Sequence, residues 1–152
     1  MSANTNSVRL QRVLRATPEE VYRACLEPQA LLKWMAPYGF TAEIHHLEAV
    51  VGGTFKMSFT NFKTKSSHSF GGTYLELTPF ERIRYTDKFD DENLPGEILV
   101  TITLRSVLCG TELEITQEGL PEAIPTEMCY LGWQESLAQL SRLLDPTIPD
   151  AA

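Results

Sequence analysis

Asp87 stands out as the residue placed to do chemistry. Between Glu81 and Phe89 the chain alternates, with Ile83, Tyr85, Asp87 and Phe89 opposite Arg82, Arg84, Thr86 and Lys88. An acid on the apolar face leaves water, which is costly unless it is paired. Otherwise its pKa rises and it becomes suited to general acid or base work. A strand-end position or a slip of register would instead return it to solvent. Gln117 presents the same situation without charge, on a face shared with Leu113 and Ile115, and could orient a polar ligand group.

The other reactive side chains are scattered. His45, His46 and His68 suggest metal or acid–base chemistry. Neighbours on a strand point to opposite faces, so His45 and His46 are not expected to serve one site without distortion. Neither the histidines nor Cys25, Cys109 and Cys129 have metal-ligand spacing, and no metal or cofactor is expected. Cys129 falls near the start of a helix whose dipole could favour a thiolate, but no base partner accompanies it. Gly52-Gly53 lacks the strand-to-helix context of a phosphate loop and reads as a turn. No catalytic set emerges.

The elements that must position these residues are well marked. From Thr126 to Leu144, Tyr130, Trp133, Leu137, Leu140 and Leu144 recur at helical spacing, which predicts an apolar stripe on a helix of about five turns. Pro125 suits the first turn, and Asp145 before Pro146 ends the helix. Thr17-Pro18-Glu19-Glu20 predicts a capped helix start, and a second short helix follows from about Gln29 to Met35. The remainder reads as strands: Val8 to Arg15, Phe40 to Val51, Thr54 to Phe59, His68 to Leu77, Glu81 to Phe89, Ile98 to Arg105 and Glu112 to Glu118. A bulge or bend is expected at Gly71-Gly72. Short turns make the strands antiparallel, and the long helix must bury its stripe on their sheet.

A chain of 152 residues suits one domain, expected over 8–146 with flexible tails at 1–7 and 147–152. Its hydrophobic fraction of 43% allows an ordinary core. No run approaches the roughly 18 apolar residues of a membrane span, and the first seven residues lack the apolar core of a secretory signal. A formal charge of −7 argues against nucleic acid and anionic lipid as partners. Three widely spaced cysteines fit a reducing cytoplasm better than a disulfide framework.

Several motifs in fixed order resemble one family. Pro18-Glu19-Glu20-Val21-Tyr22-Arg23-Ala24 and Leu32-Lys33-Trp34-Met35-Ala36-Pro37 resemble the opening of proteins related to activators of the heat-shock-protein 90 ATPase. Gly52-Gly53-Thr54-Phe55, the stretch from Gly72 to Ile83, Thr111-Glu112-Leu113, and Gly132-Trp133-Gln134-Glu135-Ser136-Leu137 extend the match over about Val8 to Leu144. The resemblance implies an α+β helix-grip (START-like) fold, as in START-like lipid carriers and polyketide cyclases. A curved antiparallel sheet of about six or seven strands would grip the C-terminal helix, with two short helices after the first strand. It implies no universal catalytic set. The eukaryotic co-chaperones of the family carry a further N-terminal domain, whereas this chain begins at the first strand, which weakens a chaperone-partner reading.

The expected cavity between sheet and helix would be lined by Trp34, Phe55, Met57, Phe59, Tyr85, Asp87, Ile102, Gln117, Trp133 and Leu137. For both tryptophans plain core packing is the competing reading. The leading expectation is a cytoplasmic binding module, monomeric or homodimeric, for a hydrophobic or amphipathic small molecule. A cyclase- or hydrolase-like enzyme and a stress-related co-chaperone are the alternatives.

Overall fold

The computed structural model describes residues 6–145, so the expected tails lie outside it apart from Asn6 and Ser7, and Ser7 already belongs to the first strand. The chain runs β1 (Ser7–Leu14), α1 (Pro18–Leu26), α2 (Pro28–Trp34), β2 (Phe40–Leu47), β3 (Thr54–Asn61), β4 (Ser67–Thr78), β5 (Arg82–Phe89), β6 (Ile98–Val107), β7 (Gly110–Glu118) and α3 (Thr126–Leu144). The strands form one antiparallel sheet in the order β1-β7-β6-β5-β4-β3-β2. Strands β2 to β7 meander through short turns, while β1 pairs with β7 at the far edge. The α1–α2 connection must therefore carry the chain from one edge of the sheet to the other. With α3 it covers the concave face, giving the helix-grip fold.

Local signals explain the helices. Thr17 accepts from the Glu20 backbone at 3.2 Å and its own N–H donates to the Glu20 carboxylate at 2.9 Å, a complete capping box. Pro28 opens α2 rather than merely interrupting α1, because a missing N–H costs nothing in a first turn. Pro125 stands one residue outside α3, as its cap position, without a side-chain bond.

Two strand expectations need correction. The strand predicted to reach Val51 ends at Leu47, because residues 48–53 fold back through Val50 N–H to Glu48 O and Gly53 N–H to Val50 O, each 2.8 Å. Val50 and Val51 are accordingly exposed. This turn needs its glycines: Gly52 has φ +84°, and a Cβ on Gly53 would sit 2.2 Å from Glu48 O. The predicted irregularity at Gly71-Gly72 is displaced. Phe70, Gly71 and Tyr74 pair with Phe89, Lys88 and Tyr85 in one register, and the shift falls between Tyr74 and Glu76. Gly72 instead permits close approach, since a Cβ there would lie 1.8 Å from Thr86 O.

The stripe on α3 is buried over only part of its length. Leu137 and Leu140 are sealed in the core, whereas Tyr130, expected on the same stripe, is 42% exposed. The C-terminal part of α3 packs on β1, α1 and α2. It is also latched to the segment after α2. Ser136 Oγ shares its hydrogen between Met35 O at 2.8 Å and Gly132 O at 3.0 Å, and Gln139 Nε2 donates to Trp34 O and Ala36 O at 3.0 and 2.6 Å. The N-terminal half of α3 leaves Met128 and Leu131 exposed and projects over the strands on the other side.

Candidate functional site

Between the concave face and the N-terminal half of α3 lies a cavity of about 320 Å³. Strand alternation supplies its floor. Phe55, Met57 and Phe59 come from β3, Phe70 and Tyr74 from β4, Tyr85, Asp87 and Phe89 from β5, Ile102 from β6 and Gln117 from β7. Met35 and Pro37 form one rim, and Met128, Gly132 and Trp133 of α3 form the other.

Of the residues expected at this cavity, Phe55, Met57, Phe59, Tyr85, Asp87, Ile102, Gln117 and Trp133 line it, whereas Trp34 and Leu137 do not. Trp34 has no exposed surface and its Nε1 donates to Ala24 O at 2.9 Å, so it pins α2 to α1. Leu137 lies past the cavity on α3, where the helix turns its stripe onto packed core. The spacing that puts Leu137 on the inward stripe of α3 states its face, and position along the helix decides between core and cavity.

The walls are mainly aromatic. Phe55 meets Tyr85 edge-on at 5.4 Å between centroids, and Tyr74 lies within 5.9 Å of both rings. Phe59 and Phe70 meet at 4.7 Å. His68, which sequence reasoning treated only as a dispersed imidazole, sits inside this aromatic wall, 5.9–6.2 Å from Phe40, Phe59, Phe70 and Phe89. Burial lowers its pKa and keeps it neutral at pH 7. Further lining residues lie beyond the expected set. Of these, His68, Phe70, Tyr74 and Phe89 share the inward phase of Met57 and Tyr85 and are legible in strand alternation, whereas those from helices and loops, such as Met35, Met128 and Cys129, are not.

His45 and His46 lie outside the cavity. A bulge between Ile44 and His46 turns both to the outer face, correcting the expectation that they point oppositely. His45 meets Ser58 Oγ and His46 meets Thr54 Oγ1, each at 3.0 Å. Among the described residues no cluster of three or more His, Cys, Asp or Glu could hold a metal ion.

The polar groups facing inward are few and unusual. Asp87 as a residue keeps partial exposure, yet its Oδ1 is buried without a hydrogen-bond partner. Burial pushes its pKa up to about 7 against a hydrogen bond from the Lys88 backbone. Gln117 Oε1 is likewise buried and unpartnered. Burial raises Tyr85 well above the usual phenol range, with Asp87 adding to the effect, and raises Tyr74 to about 12. Burial also pushes the Cys25 thiol up to about 12 and raises that of Cys129, so neither is a poised nucleophile. Among the described residues no lysine or arginine lines the cavity.

This architecture has close counterparts. A protein from Chromobacterium violaceum superposes with a TM-score of 0.92 and 56% identity, covering 93% of this chain and 99% of its own. A Rhodobacter sphaeroides protein matches at 0.80 with 23% identity, covering 93% and 92%. One from Arthrobacter aurescens matches at 0.81 with 19% identity, covering 97% and 91%; these last two show shared fold alone. No protein of curated function matches. The model of the family described as activator of Hsp90 ATPase homolog 1-like protein matches residues 15–145, from the end of β1 to the end of α3, and the chain belongs to that family.

Proposed function

We propose that this protein is a binding module that holds a hydrophobic small molecule between its sheet and α3. The observation that carries the reading is the cavity itself, about 320 Å³ of space walled by phenyl, phenol and methionine side chains where a purely structural core would be filled. That volume falls at the lower end of the roughly 300–1,000 Å³ typical of ligand pockets, enough for a compact ring system. The proposed location is a reducing cytoplasm, which suits the free thiols of Cys25, Cys109 and Cys129.

One observation supports a second reading. Asp87 has its proton balanced near neutrality beside Tyr85, which suits acid–base catalysis of a cyclase- or hydrolase-like kind on the bound molecule. A chaperone partner has only the family description behind it.

The two tryptophans make a test simple. Trp133 borders the cavity and Trp34 is sealed, so a ligand should change the emission of the first over a constant background from the second. Naphthalenes, anthracenes, flavonoids and long-chain fatty acids would be titrated while emission and melting temperature are followed. The expected result is saturable change with a compact apolar ring compound, recovered chemically intact. Silence across the whole series would overturn the binding reading, and recovery of a converted product would favour the enzyme.

A further inference from the structure

The cavity carries information about the polar end of its ligand. Asp87 Oδ1 and Gln117 Oε1 are both buried acceptors without a donor, and both residues line the same space. Asp87 pairs across the sheet with Ile98 on β6, and Val100 two residues on pairs with Gln117. The two side chains therefore flank β6 from either side on one face. Their backbones are roughly 12 Å apart, two strand spacings across and two residues along.

A buried acceptor left unmade is expensive, so an arrangement with two of them is incomplete until donors arrive. The surroundings favour a positive donor. Phe55, Tyr74, Tyr85 and Phe89 line the same space as Asp87, and aromatic rings attract cations. Among the described residues no cationic side chain lines the cavity to answer a negative ligand. His68 is held neutral, and both lining thiols keep their protons. A ligand carboxylate would be repelled by the ionised form of Asp87 and could meet only its protonated form, whereas an ammonium favours the ionised form.

We propose that the cavity selects hydrophobic amines in their ammonium form, with the ammonium donating to Asp87 and the Gln117 carbonyl accepting a further donor. This rests on the binding-module reading and adds the chemical class of the ligand. A neutral hydroxyl would satisfy one acceptor without the charge. An apolar hydrocarbon would satisfy neither.

The test uses four naphthalenes of nearly equal size: 1-naphthylmethylamine, 1-naphthalenemethanol, 1-methylnaphthalene and 1-naphthoate. Each is titrated at neutral pH by calorimetry and by Trp133 emission. The amine should bind roughly tenfold or more tighter than the methyl compound, with the alcohol between them and the naphthoate weakest. Asp87→Asn should bring the amine down to the level of the alcohol, with folding checked by thermal melting. A methyl compound or naphthoate that equals the amine, or an amine preference that survives in Asp87→Asn, would overturn the inference while leaving the binding module standing. If Asp87→Asn does not fold, the wild-type ranking decides alone. Silence from all four compounds would overturn this inference, while the binding module stands or falls by the wider series of anthracenes, flavonoids and fatty acids.

Discussion

The space under the sheet's concave face is divided into a filled half and an open half. On the side of β1, β7, α1 and α2, aliphatic groups such as Leu14, Val21, Leu113, Ile115 and Leu140 pack to 1% exposure or less. On the side of β3, β4 and β5 the inward residues are mainly rings, and they surround a cavity. The same helix, α3, serves both. Its C-terminal part packs on β1, α1 and α2, and its N-terminal part borders the cavity with Met128, Cys129 and Trp133. Flexible aliphatic chains interdigitate and leave no void, whereas rings held edge-to-face make a rigid wall that does not collapse. Stability and proposed binding are thus separated along one helix, and the fold can hold an empty space because its core lies elsewhere.

This separation predicts unequal responses to truncation. Leu140→Ala removes a fully sealed side chain from the filled half and should cost about 2–5 kcal/mol. Phe89→Leu in the open half should cost distinctly less, because one side of that ring faces space. Urea unfolding of the two variants measures both. Equal losses would show that the halves are not energetically distinct, and the division would fail.

The next largest effect comes from Asp87, which places a costly group in the open half. Its folded-state pKa of about 7 exceeds the reference value of 3.8. Below the reference value both folded and unfolded forms hold the proton and no stability is lost. As pH rises toward 7 the unfolded chain releases its proton first, so stability falls across that window and then levels off. A shift of about 3 units corresponds to about 4 kcal/mol as a ceiling. Asp87→Asn should therefore be the more stable protein above pH 7, with the difference between variant and wild type shrinking steadily as pH falls toward 4. Urea midpoints at each pH unit from 4 to 8 would show it. Parallel curves would mean that Asp87 is solvated, and the open half would lose its polar feature.

How much of this was legible in the sequence follows the physics of each signal. The helix from Thr126 to Leu144 was readable to the residue because Pro125 and Pro146 bound it and its apolar stripe is regular. The inward faces of β3 and β5 were readable because alternation there is unbroken. The division of α3 into two halves was not. The spacing of Tyr130, Trp133 and Leu137 states a face but not what lies opposite it. Trp34 and Trp133 look alike in a helical pattern, and only the angle between α1 and α2 sends the first into the core. The bulge at β2 adds one residue to a strand, which no alternation count reveals, and it reversed the expectation for His45. Unpartnered acceptors are a property of three-dimensional neighbours and have no sequence signature.

The smallest effect concerns the latch that joins the halves. Met35 and Pro37 belong to the cavity rim, and the carbonyls of Trp34, Met35 and Ala36 beside them are held by α3. Trp34, Met35 and Ala36 offer carbonyls at the end of α2, where helical partners run out, and Gln139 and Ser136 of α3 supply the donors. Glu135 completes the latch by accepting from Tyr38 N–H at 3.1 Å. Gln139→Met keeps the volume and removes both donors. It should cost about 1–2 kcal/mol, the usual range for neutral hydrogen bonds lost from partly buried groups. Its sharper consequence is at a distance: amide hydrogen exchange at residues 35–40 should quicken, while the strands of the filled half keep their protection. Bound ligand should also leave faster, because the rim opens more often. If exchange at the rim stays as in wild type, or if protection falls equally across β1 and β7, the latch does not act on the rim. The two halves would then open as one unit.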